Sequence, residues 1–154
     1  MPRLDYIYVS IQLLLFLAFF LLPRHWSWSP ENWVAYIGLF LFLIGSILGL
    51  LSLRQLGHSL TPYPSPKINA TLKTQGLYSW VRHPIYTSLL FAFLGLSLYL
   101  NSYEHGMVVL GLYLLFLLKS NYEERLLVKK YGIAYENYQR KTGRFLPKLR
   151  NPKA

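Results

Sequence analysis

Four stretches of this chain, Tyr6 to Leu22, Trp33 to Leu53, Ile85 to Leu100 and Gly106 to Leu118, are apolar and hold no Asp, Glu, Lys or Arg. A helix rising about 1.5 Å per residue needs roughly 20 such residues to cross a hydrocarbon layer of about 30 Å. At most four or five spans therefore fit in 154 residues. Composition agrees, since only 14% of the chain is charged, against about 25% in soluble domains. The surplus apolar surface has to face lipid. The expected fold is all-α, a multi-pass transmembrane helical bundle of about four spans with a cytoplasmic C-terminal amphipathic helix. It forms one domain over residues 1–154, with two N-terminal spans in 1–53 and the polar, chemistry-bearing portion in 54–147.

Along the chain, Arg3 precedes the first apolar run as it would in a secretory signal. No small-residue cleavage site follows, and Pro23-Arg24-His25-Trp26 leads on to further spans, so the run reads as a retained helix. Trp26, Trp28 and Trp33 favour the headgroup layer. Ser29 is placed to cap the second helix and Pro30 to open its first turn. Inside that helix Gly45-Ser46-Ile47-Leu48-Gly49 lets two backbones approach closely, either within the chain or between two copies of it in a homo-oligomer. Residues 54–83 form a polar connection whose Pro62, Pro64 and Pro66 forbid a regular helix. Pro84 then opens the third span, residues 101–105 turn into the fourth, and that helix continues past the membrane to about Lys130. Gly132 breaks it, and Ile133 to Lys141 reads as a separate interfacial helix.

Four spans put both termini and the long connection on one side. Residues 54–84 hold four Lys or Arg and residues 119–154 hold ten, whereas the opposite loops hold only Arg24. By the positive-inside rule the crowded side is cytoplasmic, and the location is the cell (inner) membrane. The formal charge of +10 thus belongs to a membrane face and does not point to a nucleic-acid partner. With no cysteine, thiolate nucleophiles and thiolate-held metals are excluded. No HExxH or HxxxH pattern supplies a metal site, and no GxGxxG, GxSxG or P-loop is present.

Two clusters carry the remaining chemistry. Gly76-Leu77-Tyr78-Ser79-Trp80-Val81-Arg82-His83-Pro84-Ile85-Tyr86 holds Arg82 and His83 at a helix N-terminus, where backbone N–H groups and the dipole favour an anion. A snorkelling Arg-His pair is the plainer alternative. Asn121-Tyr122-Glu123-Glu124-Arg125 puts two of only six acidic residues side by side at the membrane boundary. Adjacent helical side chains diverge by about 100°, so at most one glutamate faces a common site. The basic, tyrosine-rich stretch 131–147 suits an amphipathic helix on anionic lipid.

The ordered series Gly76-Leu77-Tyr78-x-x-Val81-Arg82-His83-Pro84-Ile85-Tyr86, then Glu123-Glu124-x-x-Leu127, then Tyr131-Gly132-x-x-Tyr135-x-x-Tyr138 and Arg144-Phe145-x-Pro147 resembles the isoprenylcysteine carboxyl methyltransferase family. The phospholipid methyltransferases look related, and the match covers roughly residues 54–147. The resemblance implies S-adenosylmethionine bound at the cytoplasmic face and a lipophilic or membrane-embedded acceptor, a carboxylate, amine or hydroxyl, arriving from the bilayer. It implies catalytic roles for Arg82, His83, Glu123 and Glu124. The same four residues are expected to contact the cofactor, together with Gly76, Tyr78, Pro84, Tyr86, Tyr122, Tyr135, Tyr138 and Arg144. Arg82 and His83 would meet the methionyl carboxylate, Glu123 or Glu124 the ribose or ammonium, and Tyr86, Tyr122, Tyr135 and Tyr138 the adenine. A sterol-reductase-type enzyme using a nicotinamide, or a non-catalytic lipid-binding module, are the competing readings.

Overall fold

In a computed structural model that describes residues 2–27 and 32–148, the chain is built from helices: α1 (Arg3–Leu21), α2 (Asn32–Leu56), α3 (Pro84–Leu100), α4 (Tyr103–Tyr131) and α5 (Ile133–Lys141). Two short 3-10 turns, Gly57–Ser59 and Gly76–Ser79, bracket the proline-punctuated loop. The expected cap at Ser29 and the first-turn role of Pro30 lie outside the described residues. Each boundary has a local cause. Pro84 occupies the first turn of α3, and Asn101 ends that helix in the left-handed region at φ 53°, which Asn tolerates better than most residues. Gly132, at φ 58° and ψ −135°, stops α4 and lets α5 fold back at once, in a backbone region that is essentially glycine's alone.

α1 and α2 are each long and apolar enough to cross a membrane, and α3 is a shorter apolar helix. Phe20, Leu21, Phe40 and Leu50 stand exposed on the outer faces of α1 and α2, as lipid-facing side chains would. α4, with 29 residues, extends about 44 Å, longer than a hydrocarbon layer of about 30 Å.

Lateral order is α2, α3, α4, α1. α2 and α3 approach most closely, because Gly38 and Gly45 on one helix meet Gly95 and Ala92 on the other. A Cβ on Gly95 would sit 2.4 Å from the Phe42 nitrogen, and one on Gly45 would sit 2.5 Å from the Ala92 nitrogen. The Gly45/Gly49 pattern is therefore used within the chain, and α3 already occupies the face that a second copy would need. Between α1, α3 and α4 the core is aromatic: Phe93 stacks on Phe16 at 4.9 Å and meets Phe19 edge-on at 4.8 Å, over Val108, Leu112 and Phe116.

Both ends of the bundle are stitched. At one end, Glu104 accepts hydrogen bonds from the backbone N–H groups of His25 (2.9 Å) and Trp26 (2.7 Å) and from the Ser102 hydroxyl (2.7 Å), joining the exit of α1 to the α3–α4 turn. At the other end, the long loop is held against the C-terminal part of α4. The Tyr131 hydroxyl donates to the Ala70 carbonyl (2.6 Å), and Lys130 donates to the carbonyls of Lys67 and Ile68.

Gly95→Val should lower the melting temperature of the detergent-purified protein by several degrees, reflecting an overpacking cost of about 1–3 kcal/mol or more. Gly106→Ala, where nothing lies within 4 Å of the added Cβ, should not lower it in the same thermal scan and should raise it slightly, since Ala favours a helix over Gly by about 0.5–1 kcal/mol.

Candidate functional site

The site begins where the C-terminal segment returns to α3. Val81 pairs in parallel with Gly143. Arg82 N–H donates to the Gly143 carbonyl (2.8 Å), His83 N–H to that of Arg144 (3.1 Å), and the Thr87 hydroxyl to that of Phe145 (2.9 Å). The chain's own carbonyls thus take the amides just before α3 that the sequence offered to a ligand anion. Gly143 is needed in this turn, because any Cβ there would collide with the Leu146 carbonyl.

Glu124 is the hub of the arrangement. Its carboxylate, 6% exposed, accepts from Arg82 Nε (2.9 Å) and lies 3.0 Å from His83 Nε2 on one oxygen. The other oxygen accepts from Gln139 Nε2 (3.0 Å) and Arg144 Nη2 (3.2 Å). Burial alone would raise this carboxyl's pKa, but the hydrogen bonds and charges of His83 and Arg82 more than offset it and hold it at about 2. Arg82 Nη1 is spent on the carbonyls of Gln139 and Thr142, which leaves Nη2 as its remaining donor among the described contacts.

Glu123 faces differently. Its Oε2 accepts from the Tyr86 hydroxyl (2.8 Å) and lies 3.8 Å from His83 Nδ1, while Oε1 has no hydrogen bond among the described residues. Glu123 borders a cavity of about 340 Å³ enclosed by α1, the end of α2, the loop, α3, α4 and α5, a size in the range of small-molecule sites. The phenols of Tyr78, Tyr135 and Tyr138 are pushed up, chiefly by burial, so they stay protonated there. Tyr138 donates to the Tyr78 carbonyl, fastening α5 to the Gly76–Ser79 turn.

Of the residues singled out from sequence, Tyr78, Arg82, His83, Pro84 and Tyr86 line the cavity from the α3 side. Glu123, Tyr135 and Tyr138 line it from α4 and α5. The others lie elsewhere. Gly76 borders a separate shallow recess with Gln55, Tyr122 stacks on Tyr8 at 5.7 Å, and Glu124 and Arg144 belong to the ion cluster. Tyr86 lies parallel to both His83 (5.4 Å) and Phe116 (4.7 Å), so its ring surface is already used. Sequence reasoning missed Gln12 and Lys119, which also line the cavity. The available signal was their polarity within or beside a membrane span, which marks a residue as functional by default. No group of His, Cys, Asp and Glu suited to a metal occurs among the described residues.

The chain is similar to known proteins in sequence and in fold. A methanethiol S-methyltransferase of Pseudomonas deceptionensis is 34% identical over 90 residues, which are 58% of this chain and 34% of that protein. The solved structure of the eukaryotic intramembrane Ras methyltransferase, an isoprenylcysteine carboxyl methyltransferase, superimposes with a TM-score of 0.69 at 21% identity, covering 96% of this chain and 54% of that one. The chain therefore spans about a third of the one relative and about half of the other. The helical membrane fold expected from the sequence is the fold of that intramembrane enzyme. The family model for phospholipid methyltransferase matches residues 33–134, from the start of α2 into α5, and the chain belongs to that family.

Proposed function

We propose that this chain is an integral membrane methyltransferase that uses S-adenosylmethionine and acts on a lipophilic acceptor. One observation carries the reading: a single cavity brings the Arg82-His83-Tyr86 element together with Glu123, Tyr135 and Tyr138, and its lining also includes the apolar side chains of Leu53, Leu56 and Leu89. S-adenosylmethionine supplies a methyl carbon on a sulfonium, whose displacement in line needs neither a metal nor a covalent enzyme intermediate.

The residues present fit such a group. The unpaired Glu123 Oε1 suits an ammonium or ribose hydroxyls, Arg82 Nη2 suits a carboxylate, and Tyr135 and Tyr138 offer aromatic surface to adenine. Holding acceptor and methyl in line can contribute about 7–11 kcal/mol. The apolar wall keeps water out of the reaction path. For an acceptor that carries a proton, Glu123 and His83 are the groups near enough to take it. The methanethiol enzyme adds a thiol to the carboxylate, amine and hydroxyl acceptors considered above.

α1 and α2 both border the cavity yet do not pack along one another, so the acceptor chain enters from the bilayer between them. In this reading the bundle crosses the inner membrane four times, with termini and site cytoplasmic. Residues 54–147 supply most of the site, and Gln12 and Leu53 complete it from the first half.

Calorimetry on the detergent-purified protein should give saturable S-adenosylmethionine binding and none of NADPH. Glu123→Gln should weaken binding at least tenfold with little change in melting temperature. Well-folded protein that does not bind the methyl donor overturns the proposal. Glu124→Gln acts on the fold instead. Leaving Arg82 and Arg144 uncompensated should cost on the order of 3 kcal/mol, seen as early thermal unfolding of the ligand-free protein. The pH dependence follows from the lowered carboxyl. Its stabilisation is complete above the ordinary value of 4.5 and is lost as pH falls toward about 2. An acid titration followed by circular dichroism should show unfolding in that window, and Glu124→Gln should flatten it.

A further inference from the structure

Lys119 stands at the membrane boundary of α4 with 2% of its surface exposed, a costly place for an ammonium. Two of its three donors are spent on neutral oxygens, Gln12 Oε1 at 2.7 Å and the Pro62 carbonyl at 3.0 Å. The Nζ also lies 5.4 Å from the centroid of the Tyr86 ring, inside the cavity that Glu123 borders. Both oxygens accept from an ammonium and leave one of its N–H groups unspent.

No carboxylate lies within 4.0 Å of Lys119 among the described residues. The two acids that act on it from a distance are Asp5 on α1 and Glu123 one turn along α4. Glu123 spends Oε2 on Tyr86. Asp5 is fully buried, with neither carboxyl oxygen hydrogen-bonded among the described residues, so it does not take the spare Lys119 donor. Lys119 therefore has no ion-pair partner within 4.0 Å among the described residues; α1 and the loop position its amine, and Leu53 and Leu89 line the same cavity.

We propose that Lys119 is the binding residue for a negatively charged acceptor head group, which makes the acceptor an anionic lipophile of the carboxylate or thiolate class and disfavours an amine. The proposal rests on the methyltransferase reading only for the word acceptor; the anion subsite itself follows from the cavity. An acceptor that arrives anionic has no proton to lose, so Glu123 is free to serve the other ligand. Gln12 and Pro62 hold the ammonium in place and leave its third donor to the incoming anion, while the alkyl chain lies along the leucines toward the bilayer.

The test uses the whole chain in nanodiscs and water-soluble probes, octanoate, octanethiol, octanol and octylamine, competing with dansylated undecanoate, alongside separate calorimetry with S-adenosylmethionine. Wild type should bind octanoate at least tenfold more tightly than octanol or octylamine. Lys119→Gln should erase the preference for octanoate while octanol binding, S-adenosylmethionine affinity and melting temperature hold, and Lys119→Arg should restore the preference in part. The proposal is overturned if wild type binds no probe or shows no preference for octanoate, or if Lys119→Gln keeps the preference. It is equally overturned if Lys119→Gln weakens all probes and the melting temperature together, the signature of a purely structural lysine. A Lys119-dependent preference in protein that does not bind S-adenosylmethionine would sink the methyltransferase reading and leave the anion site standing.

Discussion

The carboxylate of Glu124 is the interaction on which the site depends. A carboxylate this deeply buried is tolerated only when its oxygens are satisfied, and here four side chains from three parts of the chain do so: Arg82 and His83 before α3, Gln139 on α5, and Arg144 beyond it. Because α4 supplies the acceptor and the others supply donors, the cluster forces the start of α3, the C-terminal part of α4, and α5 with the segment after it to one point. The backbone pairing of residues 81–83 with 143–144 then follows from register. Buried Tyr135 and Tyr138 add apolar area that holds α5 to the same point.

That role explains why two glutamates are adjacent. Side chains one residue apart on a helix point about 100° away from each other, so a single turn of α4 can serve two neighbourhoods. Glu124 points into the ion cluster, with both oxygens engaged; Glu123 points into the cavity, with one oxygen bonded to Tyr86 and one open. The first is held ionised by its cations; the second keeps unused hydrogen-bonding capacity in a partly enclosed space, which is what ligand recognition needs. His83, close to both carboxylates, couples the fold's electrostatics to those of the cavity.

Much of this was legible in the sequence, for identifiable reasons. Helix number and limits follow from charge-free runs and from punctuation by Pro84 and Gly132, whose backbone restrictions are local and need no partner. The meeting of the Arg82 and Glu123 elements was legible as an ordered series. What was not legible depends on contacts between distant elements. Tyr122 looks like any other tyrosine of the site until Tyr8 on α1 claims its ring. The amides of Arg82 and His83 look free until Gly143 and Arg144 return. Lys119 reads as one more basic residue of a basic tail, and only the approach of Gln12 and Pro62 shows that it turns inward. Gly45 and Gly49 signalled a close helix contact, but only the α2–α3 pairing shows it to be internal.

In the proposed reading, with α4 as the fourth span, helix length places the cavity where it can receive ligands from two phases. A hydrocarbon layer of about 30 Å takes up roughly the first 20 residues of a helix that starts at its edge, and α4 starts at Tyr103. The boundary therefore falls near Glu123 and Glu124. α4 borders the cavity with Lys119, Glu123, Leu127 and Tyr131 and then turns through Gly132 into the polar α5. A charged, water-soluble cofactor can reach Glu123 from the α5 side without entering lipid. A lipophilic acceptor can reach Lys119 from the α1–α2 side without leaving it. Shortening α4 by one turn would draw the ion cluster into hydrocarbon, where its cost could not be met; lengthening it would lift Glu123 away from the apolar wall.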